Sequence, residues 1–61
     1  MARILVIDDQ PFVRDVVRKL LESAGHEVEE AVDGIEGAGL FRRDPRDLIL
    51  CDIFMPRENG L

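Results

Sequence analysis

DLILCDIFMPRENGL, residues 47–61, opens with an apolar run from Leu48 to Cys51 and stops it at the carboxylate of Asp52. Met55-Pro56, a polar stretch and Gly60 follow. The same arrangement stands near the other end of the chain. RILVI, Arg3 to Ile7, is a compact aliphatic and β-branched run that ends at Asp8-Asp9. Each run reads as a strand that is apolar on both faces, as buried parallel strands are.

Between the two runs lie the elements that fix their direction. PFVRDVVRKLLESAG places Val13, Val16, Val17, Leu20, Leu21 and Ala24 on one helical stripe. Pro11 suits the first helical turn and Gly25 the position just past the last. EVEEAV, Glu27 to Val32, alternates Val28 with Glu27 and Glu29 and reads as an amphipathic strand. Asp33-Gly34 is a turn signal. A second helix is expected from about Gly34 to Arg43, weakened by Gly37 and Gly39 in its interior, each costing roughly 1 kcal/mol relative to Ala. Asp44-Pro45 ends it.

The order βαβαβ implies an α/β fold with a parallel sheet and crossover helices. The amphipathic second strand belongs at an edge, so the expected spatial order is 2-1-3. Right-handed crossovers then send the two helices to opposite faces. Strand order reverses between strands 1 and 3, and open α/β sheets bind ligands at that reversal, beyond the carboxyl ends of the strands. Asp8, Asp9 and Asp52 are expected to meet there.

Three crowded carboxylates repel one another unless a cation sits among them. All-oxygen ligation suits a hard cation, and Mg²⁺ fits best because it leaves positions for phosphate oxygens. A carboxylate beside such a cation is suited to attack a phosphoryl group in line and form an acyl phosphate.

Composition narrows the alternatives. Thirteen acidic residues against eight Lys and Arg give a net charge of −5, which argues against direct nucleic-acid binding. One cysteine excludes an internal disulfide. The apolar runs are far shorter than the roughly 20 residues of a membrane span, and MARILVI does not read as a signal peptide. No membrane association is expected, and a cytoplasmic location is. A phosphatase of the haloacid-dehalogenase type needs Asp-x-Asp after strand 1, where this chain has Asp8, Asp9 and Gln10. A dinucleotide-binding turn needs glycines that DDQPF lacks.

The chain resembles the N-terminal half of a bacterial response-regulator receiver domain, flavodoxin-like (CheY-like) in fold. Asp8-Asp9 after RILVI, Asp33-Gly34 before the second helix, and Asp52, Met55, Pro56 and Gly60 in the pattern Asp-x-x-Met-Pro-x-x-x-Gly carry the resemblance. It covers essentially all of residues 1–61, read as one partial receiver domain. It implies that Asp52 accepts a phosphoryl group from the phosphohistidine of a sensor histidine kinase or phosphotransfer protein. It also implies that Asp9, Asp52 and the backbone carbonyl of Phe54 ligate Mg²⁺ directly, with Asp8 acting through water. Such a module is an acceptor, not an enzyme.

A full receiver has a Ser or Thr after strand 4 and a Lys after strand 5, positions beyond Leu61. The expectation is therefore a truncated receiver with slow or absent phosphorylation. The alternative is a half-domain that self-assembles, a homo-oligomer through strand 3, because an apolar edge strand is an association surface. Other residues have plainer readings. Asp8 and Asp9 could cap the first helix. Cys51 reads as a small core residue, and His26 as solvated surface. Met55 and Pro56 shape a loop. Arg42, Arg43 and Arg46 read as a solvated helix end.

Overall fold

The computed structural model describes residues 1–51. Residues 52–61, which include Asp52, Phe54, Met55, Pro56 and Gly60, lie outside the described part. Five elements run in the order β1 (Arg3–Ile7), α1 (Pro11–Ser23), β2 (Glu27–Ala31), α2 (Gly34–Arg43) and β3 (Leu48–Cys51). The strands form one parallel sheet in the order β2-β1-β3. This is the expected architecture, with β2 one residue shorter than EVEEAV suggests.

The register explains where the core sits. Leu5 pairs with Glu29 on one side and Ile49 on the other, and Val6 with Glu30 and Leu50. Side chains at paired positions share a face, and neighbours along a strand point to opposite faces. Leu5, Ile7 and Ala31 therefore form one buried cluster, packed against Leu40 and Phe41 of α2. Val6 and Leu50 lie on the other face, where they line a cleft with Val13 and Val17 of α1. The helices cover opposite faces, each over β1 and β2. Neither packs on β3 within the described residues.

Local chemistry sets each helix end. Pro11 opens α1 behind the Gln10 cap. Its far end closes with His26 N–H donating to the Leu21 carbonyl and Gly25 N–H to that of Glu22, at 3.1 and 2.9 Å. Gly25 sits there at φ +93°, the left-handed conformation that glycine adopts without a Cβ penalty. At the start of α2 the Asp33 carboxylate accepts from Glu36 N–H at 2.9 Å, so Asp33 is a helix cap rather than a simple turn residue. The Glu36 carboxylate in turn accepts from Val32 N–H at 2.8 Å.

Several plain readings need correction. His26 is half-buried, and its Nδ1 accepts from Ala2 N–H at 3.0 Å, tying the start of the chain to the approach to β2. Arg46 is not solvated: its side chain is 6% exposed and pairs with Glu29 at 2.9 Å and with Asp44. Arg3 pairs with Asp44 and with Glu27, and its guanidinium holds the Asp44 carboxyl below the usual carboxylate range. These charges gather at the amino end of the sheet, opposite the acidic carboxyl end. Cys51 is exposed, because neither helix reaches β3.

Gly37 is not merely a weak point of α2. It is buried, and a Cβ added there would lie 2.5 Å from Ile7 Cδ1 and 3.0 Å from Cγ1. The missing side chain lets α2 approach β1. Gly39, by contrast, has nothing within 4 Å of the corresponding point. Gly39→Ala is therefore expected to stabilise the chain by about 1 kcal/mol through helix propensity. Gly37→Ala carries the same propensity gain but forces Ile7 out of place, an overpacking cost of about 1–3 kcal/mol. Urea midpoints should move in opposite directions for the two variants. Equal shifts would mean that α2 does not lean on Ile7.

Candidate phosphoacceptor site

β1 hands the chain to α1 through Asp8, Asp9 and Gln10, and this short segment is pinned at several points. Asp8 N–H donates to the Ala31 carbonyl at 3.1 Å, extending the β1–β2 ladder by one step. The Asp8 carboxylate turns back and accepts from Gln10 N–H at 2.8 Å. That is the two-residue reach typical of aspartate at turns. It brings the carboxylate close to the start of α1, where the helix dipole favours negative charge. The capping reading of Asp8 is therefore correct in part. Gln10 occupies the cap position, and its own side chain makes no capping bond.

Asp8 is buried, at 6% exposure, whereas Asp9 is exposed. A carboxylate this buried costs free energy unless its charge is balanced or bonded. Arg14 reaches the segment, but its Nη1 donates to the Asp8 carbonyl oxygen at 2.8 Å, not to the carboxylate. Arg14 Nε donates to Glu30 on β2, also at 2.8 Å. Arg18 Nε approaches the other oxygen of Glu30 at 2.8 Å without hydrogen-bond alignment. Arg18 also pairs with Asp15 and Glu22 on its own helix, and the Asp15 hydrogen bond does most to raise its guanidinium above the ordinary range.

The carboxyl ends of β1 and β3 are level, because Ile7 pairs with Cys51 across the ladder. Each strand is followed directly by an aspartate in the sequence, Asp8 and Asp52. Asp52 and Phe54 lie outside the described residues. Among the described residues, no three of His, Cys, Asp and Glu are gathered closely enough to hold a metal ion. Asp8 and Asp9 fit a hard divalent cation by donor chemistry: both offer oxygen alone, at the open end of a parallel sheet. Beside Asp8 and Cys51 the floor is apolar, built from Val6, Val13, Val17 and Leu50.

Arg14 is the residue that sequence reading left out. It falls on the polar side of α1 and looks like one more solvated charge. One signal was present. Glu30 is in phase with Val28 on β2, on the face that α1 covers, so it required a basic partner from α1.

The fold and the Asp8–Asp9 pair after β1 define a class: a parallel α/β module of order β2-β1-β3 with carboxylates at the end of the strand where the order reverses. Comparison with known proteins makes the class particular. The family model of the response regulator receiver domain matches residues 4–61, and the chain belongs to that family. It is 47% identical over 60 residues to the DNA-binding dual master transcriptional regulator RpaA of Synechocystis sp., covering 98% of this chain and 25% of that protein. It is 43% identical over 60 residues to protein PilH of Pseudomonas aeruginosa, covering 98% of this chain and 50% of that one. Protein CcdB of Bacillus subtilis is 42% identical over 62 residues, 52% of its length. The chain thus spans between a quarter and about half the length of these relatives. It is a receiver portion of a two-component signalling module.

Proposed function

We propose that this chain accepts a phosphoryl group on Asp52 from the phosphohistidine of a sensor histidine kinase or phosphotransfer protein. A carboxylate oxygen of Asp52 bonds to phosphorus as the P–N bond to the donor imidazole breaks, and the departing imidazole takes up a proton. Asp8, Asp9, Asp52 and the Phe54 carbonyl would hold Mg²⁺. When bound, this cation supplies charge neutralisation on the phosphoryl oxygens. The chain is then an acceptor and not an enzyme.

The level ending of β1 and β3, Ile7 beside Cys51, is the observation that supports this reading, because Asp8 is the next residue after β1 and, in the sequence, Asp52 is the next after β3. A cytoplasmic location belongs to the same reading, and no helix among the described residues is long and apolar enough to cross a membrane. Direct nucleic-acid contact by this segment is not proposed, given its net charge of −5. The DNA binding in the RpaA name describes a protein of which the match covers only a quarter.

The test is treatment of the 61-residue chain with acetyl phosphate, read by intact mass with and without Mg²⁺. The expected product carries one phosphoryl group, needs the divalent cation, and is absent from Asp52→Asn. Asp9→Asn should remove the dependence on Mg²⁺ along with most of the product. Labelling that persists in Asp52→Asn, or that ignores chelation, would refute the assignment.

A second reading concerns association, and β3 favours it. Leu48, Ile49 and Leu50 are 48, 43 and 37% exposed on a strand that neither helix covers. The 61-residue chain is proposed to pair through β3 with a second copy.

A further inference from the structure

We propose that Arg14 is a positioning residue for the Asp8–Asp9 pair, fixing the peptide between them so that both carboxylates face a common cation. The inference rests on the Mg²⁺ reading above and adds a residue to it.

The geometry is that of a bridge. Arg14 projects from the second turn of α1, and its side chain is only 16% exposed. One guanidinium nitrogen holds the carbonyl of Asp8, and another holds the Glu30 carboxylate on β2, each at 2.8 Å. The Asp8 carbonyl belongs to the peptide that joins Asp8 to Asp9, so its direction sets how Asp9 leaves the strand. Further bonds at this corner secure Asp8 and Gln10. Asp8 N–H reaches Ala31, Gln10 N–H reaches the Asp8 carboxylate, and the Gln10 carbonyl accepts from Arg14 N–H at 3.0 Å. Of these contacts, only the Arg14 guanidinium grips the Asp8–Asp9 peptide through its oxygen.

Arginine suits this task because its planar fork serves two acceptors in fixed directions, whereas a lysine ammonium would act as a single point. Glu30 aims the fork and neutralises it. The pair therefore orients the acidic segment without placing a free positive charge beside the site. Residues that orient metal ligands in this way are typically worth about 10–100-fold in metal affinity.

A purely electrostatic role predicts the opposite result from a positioning role. Removing a cation close to a bound cation relieves repulsion, so loss of Arg14 charge alone should tighten Mg²⁺ binding. Loss of positioning should weaken it. A role confined to tying α1 to β2 would lower stability and leave the affinity of the folded chain unchanged.

The experiment is a Mg²⁺ titration of the 61-residue chain followed by ¹H–¹⁵N NMR, with amide dispersion as the check on folding. Arg14→Gln and Arg14→Lys should each bind Mg²⁺ about tenfold more weakly than the parent. In both, the Asp8 carbonyl ¹³C shift should move before any metal is added. Lys19→Gln removes a positive charge from the same helix at a side chain that pairs with Asp15 and reaches neither Asp8 nor Glu30, and should leave the affinity unchanged. Should Arg14→Gln fold poorly, Glu30→Gln releases the fork from β2 and should weaken Mg²⁺ binding in the same direction. Equal or tighter binding in folded Arg14→Gln would overturn the positioning role alone. A parent chain that ignores Mg²⁺ would overturn the metal reading itself, before any variant is measured.

Discussion

Leu5→Ala is expected to leave the chain without a cooperative fold at room temperature. Among the described residues Leu5 is the one large side chain with no exposed surface, and it sits on the central strand between β2 and β3. It is a member of the small cluster with Ile7 and Ala31, against which Leu40 and Phe41 pack. Truncating a buried leucine to alanine costs about 2–5 kcal/mol, with the upper end reached where surroundings cannot collapse into the space. Collapse is unfavourable here, because hydrogen bonds to both neighbouring strands hold β1 in place. Against this stands the whole stability of the domain. At about 0.05–0.15 kcal/mol per residue, 61 residues amount to about 3–9 kcal/mol. The loss is therefore comparable to the total. Urea titration by far-UV circular dichroism should show a cooperative transition in the parent and none, or one shifted close to zero denaturant, in Leu5→Ala. Leu5→Met, which keeps the volume, should cost less than about 1.5 kcal/mol. A Leu5→Ala chain as resistant to urea as Leu5→Met would show that the core is not centred on β1.

Elements whose pattern was local were legible in the sequence, and contacts between distant elements were not. The stripe on α1, the alternation in Glu27–Glu30 and the apolar runs of β1 and β3 each repeat with a period that belongs to one kind of element. From them the strand order followed, because only β2 has the mixed face of an edge. Asp8 and Asp9 were legible for the same reason: they end a strand whose direction the topology fixes. Gly37 was misread because propensity sees only the helix, where a glycine is a cost. Its value lies in the distance to Ile7, a residue thirty positions away. Arg46 was misread likewise, since its partner Glu29 belongs to a strand formed earlier in the chain. Arg14 combines both difficulties. One of its acceptors lies in the segment after β1 and the other on β2, and neither follows from the helix period that placed Val13 and Val17 correctly.

Ile49→Lys is expected to abolish self-association and to leave the chain largely unfolded. The exposed fractions of Leu48, Ile49 and Leu50 lie on both faces of β3, with Ile49 beside Ile7, Phe41 and Gly37 in the cleft under α2. Leu50 borders the cleft under α1. Strand edges that carry apolar side chains on both faces are templates for pairing. A two-fold dimer with β3 antiparallel to β3 satisfies that edge twice with one interface, and two-fold closure is the commonest arrangement of identical chains. The combined sheet would run 2-1-3-3-1-2. Its outer edges would then be β2, whose Glu27 and Glu29 discourage further pairing. Burying an aliphatic side chain fully is worth about 1.5–3 kcal/mol, and part of that remains to be gained at each of these positions. A lysine at position 49 would place a charge in the same space, which costs several kcal/mol unless it is paired. Sedimentation at high micromolar concentration should give a species of two 6.9 kDa chains for the parent. Ile35→Lys makes the same change on the outer side of α2, at a side chain 86% exposed, and should leave both association and stability within about 0.5 kcal/mol of the parent. A folded, cooperative monomer of the parent chain would rule out the dimer, and so would an Ile49→Lys chain that sediments as the parent does.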